Sequence, residues 1–397
     1  MPLIIVALAA VSAARVGPAP VGTVLILLSA PLWFPALVRL RPALWLACAL
    51  LLLGASGAAL FLTSTGAADS GVAASVIGMT ITGALLVGIF AWAAYSHGPA
   101  ATAVAYGAGA LLDVPLSHLP LDENGWKYYI AYPLALVVFG LLARRSLWFS
   151  VIALGGIAVA SAVGGYRSMI AICAGALILT LLANYLGRRR ISVRGLDVRP
   201  AVFTLGAVAA AGAGVVGFTQ LLLSGLLGSR VQESTQLALS RGGDIITGGR
   251  VEWIATRHLF SERPWGYGPG YVPTETDKSG IIDSYATAGV EPSLQHLRVY
   301  VFDDRFKLHS LYGDFWVNFG PVATLVFLVV AVAILARFII AATTDGRAPI
   351  LLWFVFILAL WDIAFSPIYT NLAPVLLSLV LLTSFALQSR HSDRSPS

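Results

Sequence analysis

Charge is scarce in this chain. Of its 397 residues, 11% are Asp, Glu, Lys or Arg, against about 25% in an ordinary soluble domain. With 58% hydrophobic residues, a soluble fold of this size would leave too much apolar surface exposed. Disorder is excluded from the other side, because an unfolded chain needs low hydrophobicity. Cysteine is nearly absent. Cys48 and Cys173 both lie in apolar runs, so neither a disulfide framework nor a thiolate metal site is indicated. HExxH, paired CxxC, DxD and GxSxG patterns are missing and the six histidines are scattered, which points away from a metal centre and from a serine nucleophile elbow. The net charge of +6 does not suggest a nucleic-acid surface, since the charges punctuate apolar runs, as they do where charge sets membrane topology. What remains is an all-α polytopic membrane helix bundle.

A span needs about 20 apolar residues to cover the hydrocarbon. Breaks at charges, Pro and Gly give twelve expected spans, near 2–14, 21–38, 43–63, 72–95, 99–112, 128–143, 146–163, 168–187, 200–227, 310–336, 348–366 and 369–388. Ser12-Ala13-Ala14 is similar to a signal-peptide cleavage site, but no basic residue precedes it, so the segment is expected to stay as a helix. Alternating the spans puts thirteen arginines on one side, among them Arg39, Arg41, Arg144, Arg145, Arg188 and Arg337, against three acids. The short opposite loops hold Arg15, Lys127 and Arg167 against Asp69, Asp113, Asp122 and Glu123. The positive-inside rule then places both termini in the cytoplasm.

The expected organisation is nine spans over 1–227, an outer cap over 228–308, three spans over 309–388 and a cytoplasmic tail over 389–397. The cap segment carries nine basic and ten acidic residues with many aromatics. A structureless connection of that length would be unusual, so a small folded unit with short amphipathic helices is expected. No internal repeat of the transporter type is visible.

Three polar groups stand out. The first is Gly164-Gly165-Tyr166-Arg167-Ser168, a short turn that holds Arg167 at the rim of the bundle. Such an arginine either snorkels or marks a ligand path. The second is Gly249-Arg250-Val251-Glu252-Trp253, continuing to Arg257 and Phe260. Val251, Ile254, Ala255 and Leu259 recur at helical spacing, so Arg250, Trp253 or Ile254, and Arg257 fall on adjoining turns of one side of an amphipathic helix. The helix stops before Pro264, and Gly266-Tyr267-Gly268-Pro269-Gly270 makes a tight turn; because this GxGxG follows a helix, it is not a dinucleotide loop. The alternative for this helix is an interfacial helix with arginines at the headgroups.

The third group is His309-Ser310-Leu311-Tyr312-Gly313-Asp314, preceded by Asp303, Asp304 and Arg305. Histidine can accept or pass a proton near neutrality, or simply be a satisfied structural residue. Asp362, in an apolar run, either pairs with an arginine or serves the site. Several arginines and one histidine suit a pyrophosphate, because the guanidinium fork binds phosphate oxygens bidentately and stays charged. Stabilising a departing pyrophosphate is the electrostatic task that a metal performs elsewhere.

An arginine opening span eight, then G-R-x-x-W with P-x-G-x-G, then a histidine opening span ten: in this order the motifs resemble the O-antigen ligase and O-antigen polymerase superfamily of bacterial membrane glycosyltransferases. The matching residues are Arg167; Gly249, Arg250, Trp253, Pro264, Gly266 and Gly268; and His309, with Gly320 later. Tyr166 stands where the family has Ser, and Ser310 where it has Asn. The resemblance covers roughly residues 160–325; the N-terminal half agrees in hydropathy alone.

The resemblance implies a GT-C-like bundle in the bacterial cytoplasmic membrane. It implies transfer of a glycan from a polyprenyl-pyrophosphate carrier to a glycan or glycolipid acceptor hydroxyl on the outer face, with no metal or other cofactor. Arg167 and Arg250, with Arg257, would hold the pyrophosphate, and His309 would take the acceptor proton. Arg241, Trp253, Tyr312, Asp314 and Asp362 are the further expected substrate-binding residues. Ligase and polymerase differ in acceptor and are not separated by these residues. A lipid-linked glycan transporter would instead show repeated halves and broken helices with mid-membrane polar groups. A non-catalytic envelope scaffold would have no reason to gather arginines around a histidine.

Overall fold

A computed structural model describes residues 1–13, 15–16, 19–64, 67–119, 124–188, 191–193, 196–226, 228–242, 252–290, 297, 301–302, 305–345 and 348–392. Helices dominate them. In chain order they are α1 (Pro2–Ala9), α2 (Val21–Leu28), α3 (Ala30–Arg39), α4 (Arg41–Thr63), α5 (Ser70–His97), α6 (Pro99–Leu116), α7 (Ala131–Leu142, led by a π turn from Trp126), α8 (Leu147–Val163), α9 (Arg167–Gly187) and α10 (Arg199–Leu223). After them come α11 (Ser229–Gly242), α12 (Glu252–Glu262), α13 (Glu275–Thr287), α14 (Leu311–Phe319), α15 (Pro321–Asp345), α16 (Ile350–Phe365) and α17 (Ile368–Ser392). Two-residue strands pair into small antiparallel hairpins at 15–20 and 192–197.

Each expected span falls on helix, but length separates them. Among the described residues α4, α5, α9, α15 and α17 are long and apolar enough to cross a membrane, and α2 with α3 makes a sixth if that pair is one span. The pair is bent by 74°, a break that the run 21–38 did not predict. α7 with its π turn, α8 and α16 are shorter apolar helices. Two expected boundaries are corrected. The first run does not continue to residue 14: α1 has eight residues, about 12 Å of rise, and then Ser12 and Ala13 donate their backbone N–H to the Asp113 carboxylate at 2.8 and 2.9 Å. The run 310–336 is two helices, because Gly320 sits at φ +80° and Pro321 opens the next helix with no N–H to lose.

Side chains set the helix starts. Pro42 lies in the first turn of α4, and Asp69 caps α5 by accepting from Val72 N at 2.9 Å. One large apolar core joins α1–α10 and α14–α17, with Phe90, Phe139, Phe315, Phe338 and Trp353 fully buried. Outside it, Leu62, Trp148, Ile152, Val163 and Leu205 are exposed, as expected of helices bathed in lipid.

The segment after α10 has a core of its own. Ala255 and Leu259 of α12, Ile281 and Tyr285 of α13, and Tyr267, Tyr271, Phe302 and Phe306 from the connections cluster with Trp316 and Val317 of α14. Burying Tyr and Trp here contributes area and also requires hydrogen-bond partners for their polar tips; Tyr271 donates to Asp277 at 2.7 Å and Trp316 Nε1 to the Pro264 carbonyl at 2.8 Å.

Candidate active site at the cap end of the bundle

The glycine turn after α12 fastens the cap to the bundle. Tyr267 and Gly268 both donate their N–H to the Val317 carbonyl, at 2.8 and 3.0 Å, so this turn satisfies a carbonyl near the end of α14 that no helical partner reaches. The approach is close. A Cβ on Gly266 would lie 2.7 Å from the Trp316 carbonyl oxygen, and one on Gly320 would lie 3.0 Å from that of Trp265. Both residues have positive φ, which glycine adopts without strain. Gly270 then pairs with Asp69, whose N–H donates to its carbonyl at 2.8 Å, tying the cap to the start of α5. The P-x-G-x-G pattern is therefore a joint between backbones.

His309 stands at a second fixed point. Its φ of +48° turns the chain sharply just before Ser310, whose Oγ caps α14 by accepting from Gly313 N at 3.3 Å. Asp314, fully buried, holds the turn from inside. One carboxyl oxygen accepts from Leu308 N at 2.8 Å and the other from Ile368 N at 2.9 Å. The same side chain thus anchors the residue before the histidine and the first turn of α17. Arg305 lies 4.6 Å over the ring of Tyr369, also in that turn. Tyr312 is half-buried on α14.

The cap helix α12 joins this turn to the bundle. Thr256 packs against Gly313, where a Cβ would lie 3.5 Å from the threonine methyl. One turn earlier, Trp253 stacks on Phe365 at the end of α16, with centroids 5.2 Å apart and planes within 7°. Trp361 extends that wall, 4.7 Å from Phe365. Trp253 Nε1 is buried with no hydrogen-bond partner among the described residues. Arg257 is exposed. Arg250 lies outside the described residues, as do Asp303 and Asp304; Arg241 closes α11, and its side chain also lies outside them.

Arg167 reaches the same end by helix geometry. α9 and α16 run antiparallel. A Cβ on Gly175 would lie 3.3 Å from Ile357, while further toward the other end Leu182 faces Gly206 of α10, three residues from Phe203, whose ring is 5.0 Å from Trp353. Arg167 and Phe365 each lie eight residues from the Gly175–Ile357 contact, about 12 Å of rise in the same direction. Arg167 Nη1 donates to Thr235 Oγ1 at 3.1 Å, which links the start of α9 to α11.

Residues 164–328 match the family described as O-antigen ligase. The match supports membership of the O-antigen ligase superfamily for this part of the chain. It runs from the Gly164 turn through the cap into α15, and so contains Arg167, Trp253, the glycine joint and His309. No curated protein and no solved structure matches the chain.

Within the matched segment the histidine turn, α12 and the glycine joint come together, and α9 begins at the depth of the Trp253–Phe365 stack. Asp362 lies outside the segment. It is buried and accepts from Ser366 Oγ at 2.6 Å and Asn371 Nδ2 at 3.1 Å, two neutral groups that shape the α16–α17 corner. Among the described residues no group of three or more His, Cys, Asp or Glu converges to hold a metal ion. Sequence reasoning missed Phe365 and Trp361, whose signal, an aromatic pair four residues apart ending an apolar helix, is indistinguishable locally from ordinary core.

In the cap, Asp277 closes a capping box with Thr274, accepting from its N–H at 2.8 Å and its hydroxyl at 2.6 Å. Burial works to raise the Asp277 carboxyl, but hydrogen bonds from Thr274 and Tyr271 outweigh it and hold the group below the usual carboxylate value. Arg263 lies over the rings of Tyr267 and Tyr271, 5.0 and 5.2 Å from their centroids.

Proposed function

We propose that this chain is a glycosyltransferase of the O-antigen ligase type. It moves a glycan from a polyprenyl-pyrophosphate carrier to an acceptor hydroxyl on a glycan or glycolipid, in the bacterial cytoplasmic membrane, with the cap end facing the periplasm or exterior. In this reading all twelve apolar runs belong to the membrane-embedded part, residues 228–308 form the outer cap, and 389–397 is a cytoplasmic tail.

The carrying observation is that α12, which follows Arg250 directly in the chain, touches both the histidine turn, through Thr256 and Gly313, and the end of α16, through Trp253 and Phe365, at the depth of Arg167. A diphosphate bound by Arg167, Arg250 and Arg257 would sit where the planar forks meet its oxygens. His309 takes the proton of the acceptor hydroxyl as that oxygen forms its bond to the anomeric carbon. The bond from that carbon to the diphosphate oxygen breaks, and the polyprenyl diphosphate leaves with its charge held by the arginines. Attack opposite the leaving group inverts the anomeric centre. Trp253, Tyr312 and Arg241 contact the two glycans. Asp314 and Asp362 act through the backbone and corner that they hold.

A polymerase of the same superfamily would use the same groups with a growing glycan as acceptor. The test is release of polyprenyl diphosphate by the protein in lipid nanodiscs, supplied with a polyprenyl-diphosphate glycan and each acceptor in turn. His309→Asn and Arg250→Ala should each lower the rate by on the order of 100-fold or more with unchanged thermal melting, and wild-type activity should survive EDTA. Full activity in either variant removes this mechanism.

A further inference from the structure

At the other end of the bundle a second polar site opens. The segment that joins α3 to α4 faces the last turns of α5 and α17 across a cleft of about 500 Å³, lined by Arg39, Leu40, Arg41, Tyr95, Leu387 and Gln388 among others. Through Leu387 it adjoins a small recess that holds Arg337 and Ile334 of α15 and Pro42 of α4. Arg39, Arg41 and Arg337 are all exposed, and no acidic residue lines either hollow. Among the described residues none of the three arginines makes an ion pair. Arg39 donates to the Tyr95 hydroxyl at 3.2 Å and lies 5.7 Å from that ring's centroid, which steadies one guanidinium at the mouth.

Arg39 and Arg41 line the cleft and Arg337 the recess beside it; like charges gathered at one end without a carboxylate repel one another, and an anion among them relieves that cost. Their position narrows the class of anion. Arg41 opens one crossing helix, and Tyr95, Leu387 and Gln388 close two others, so the cleft lies at the level where a bilayer keeps its phosphates. Leu40, Ile334 and Leu387 supply an apolar wall running inward from the arginines. A free phosphate has no use for such a wall; acyl chains do.

We propose that this cleft binds the headgroup of an anionic phospholipid, with its phosphate between Arg39, Arg41 and Arg337 and its acyl chains against the apolar wall. The site is separate from the cap end and does not depend on the reaction assigned there.

Native mass spectrometry of the full chain, released from detergent with dioleoyl phosphatidylglycerol or dioleoyl phosphatidylcholine, reads the preference. The wild type should retain phosphatidylglycerol over phosphatidylcholine. The triple variant Arg39→Gln, Arg41→Gln, Arg337→Gln should bind phosphatidylglycerol on the order of tenfold or more weakly. A control with Arg144→Gln, Arg145→Gln and Arg188→Gln, exposed arginines elsewhere, should keep wild-type retention. Equal retention by the triple variant, equal loss in the control, or displacement of the lipid by millimolar inorganic phosphate overturns the proposal. On the wild type, a photoactivatable phosphatidylglycerol should label the peptides spanning 38–42 or 384–388; labelling confined to other peptides overturns it without any variant.

Discussion

Helices of the bundle satisfy their own backbone and turn large apolar side chains such as Ile152 and Val163 outward. The cap buries tyrosines whose hydroxyls need partners, places a guanidinium over two of their rings, and meets the bundle through glycines with positive φ. The difference follows from the surroundings. In lipid a helix can present any apolar side chain without penalty, so the bundle tolerates great freedom on its outer face and is exacting only where helices touch. The cluster of α12, α13 and their connections assembles a small core from few residues, and specific polar contacts and turn geometry carry a larger share of its order.

Substitutions at three positions sharpen or break this comparison. The largest effect is expected at Asp314, which serves both regions. Asp314→Ala leaves the N–H groups of Leu308 and Ile368 without their acceptor, and each buried orphan costs about 1–3 kcal/mol. Thermal unfolding in detergent should fall sharply, while Asp314→Asn, which keeps one acceptor oxygen, should lose less. Equal melting of all three proteins would show that the carboxyl is no clip.

Gly320→Ala comes next. A side chain at φ +80° that also presses on the Trp265 carbonyl should cost about 2 kcal/mol, concentrated at the joint. Limited proteolysis should then cut within 252–290 faster while the bundle melts almost as before. A joint loss of both would mean that cap and bundle are one cooperative unit.

The smallest effect belongs to Asp277. Its carboxyl is held below the ordinary value, so its contribution is present above the unfolded pKa of about 3.9 and is lost as pH falls through the folded value. Lowering pH from 5 to 3 should raise protease access to the cap in the wild type. Asp277→Asn should show greater access already at pH 5 and a flatter pH profile; identical profiles would remove the carboxyl from the account.

Local pattern carried much of the architecture. The runs 43–63 and 168–187 lie within one or two residues of α4 and α9, because apolar content and charged ends are properties of the segment itself. The expected stop before Pro264 also agrees with the end of α12 at Glu262. What hydropathy could not expose are breaks made of apolar or small residues. The bend between α2 and α3 and the interruption at Gly320 leave the run as hydrophobic as before.

The site divides along the same line. Arg167 and His309 were legible as charged or titratable groups at the ends of apolar runs. Their supports were not, since the Asp314 contact with Ile368 spans 54 residues and the Trp253–Phe365 stack joins two distant helices. Asp314, an expected substrate-binding residue, is buried and accepts from two backbone donors. Arg250 and the side chain of Arg241 lie outside the described residues.

The left-handed backbone at His309 limits what selection can place there. Valine, isoleucine and threonine crowd their own carbonyls at such an angle, whereas asparagine enters it readily. Asparagine is consequently the replacement that removes the basic nitrogen and spares the bend. A library at this codon should keep folded protein with asparagine or glycine and lose it with the β-branched set.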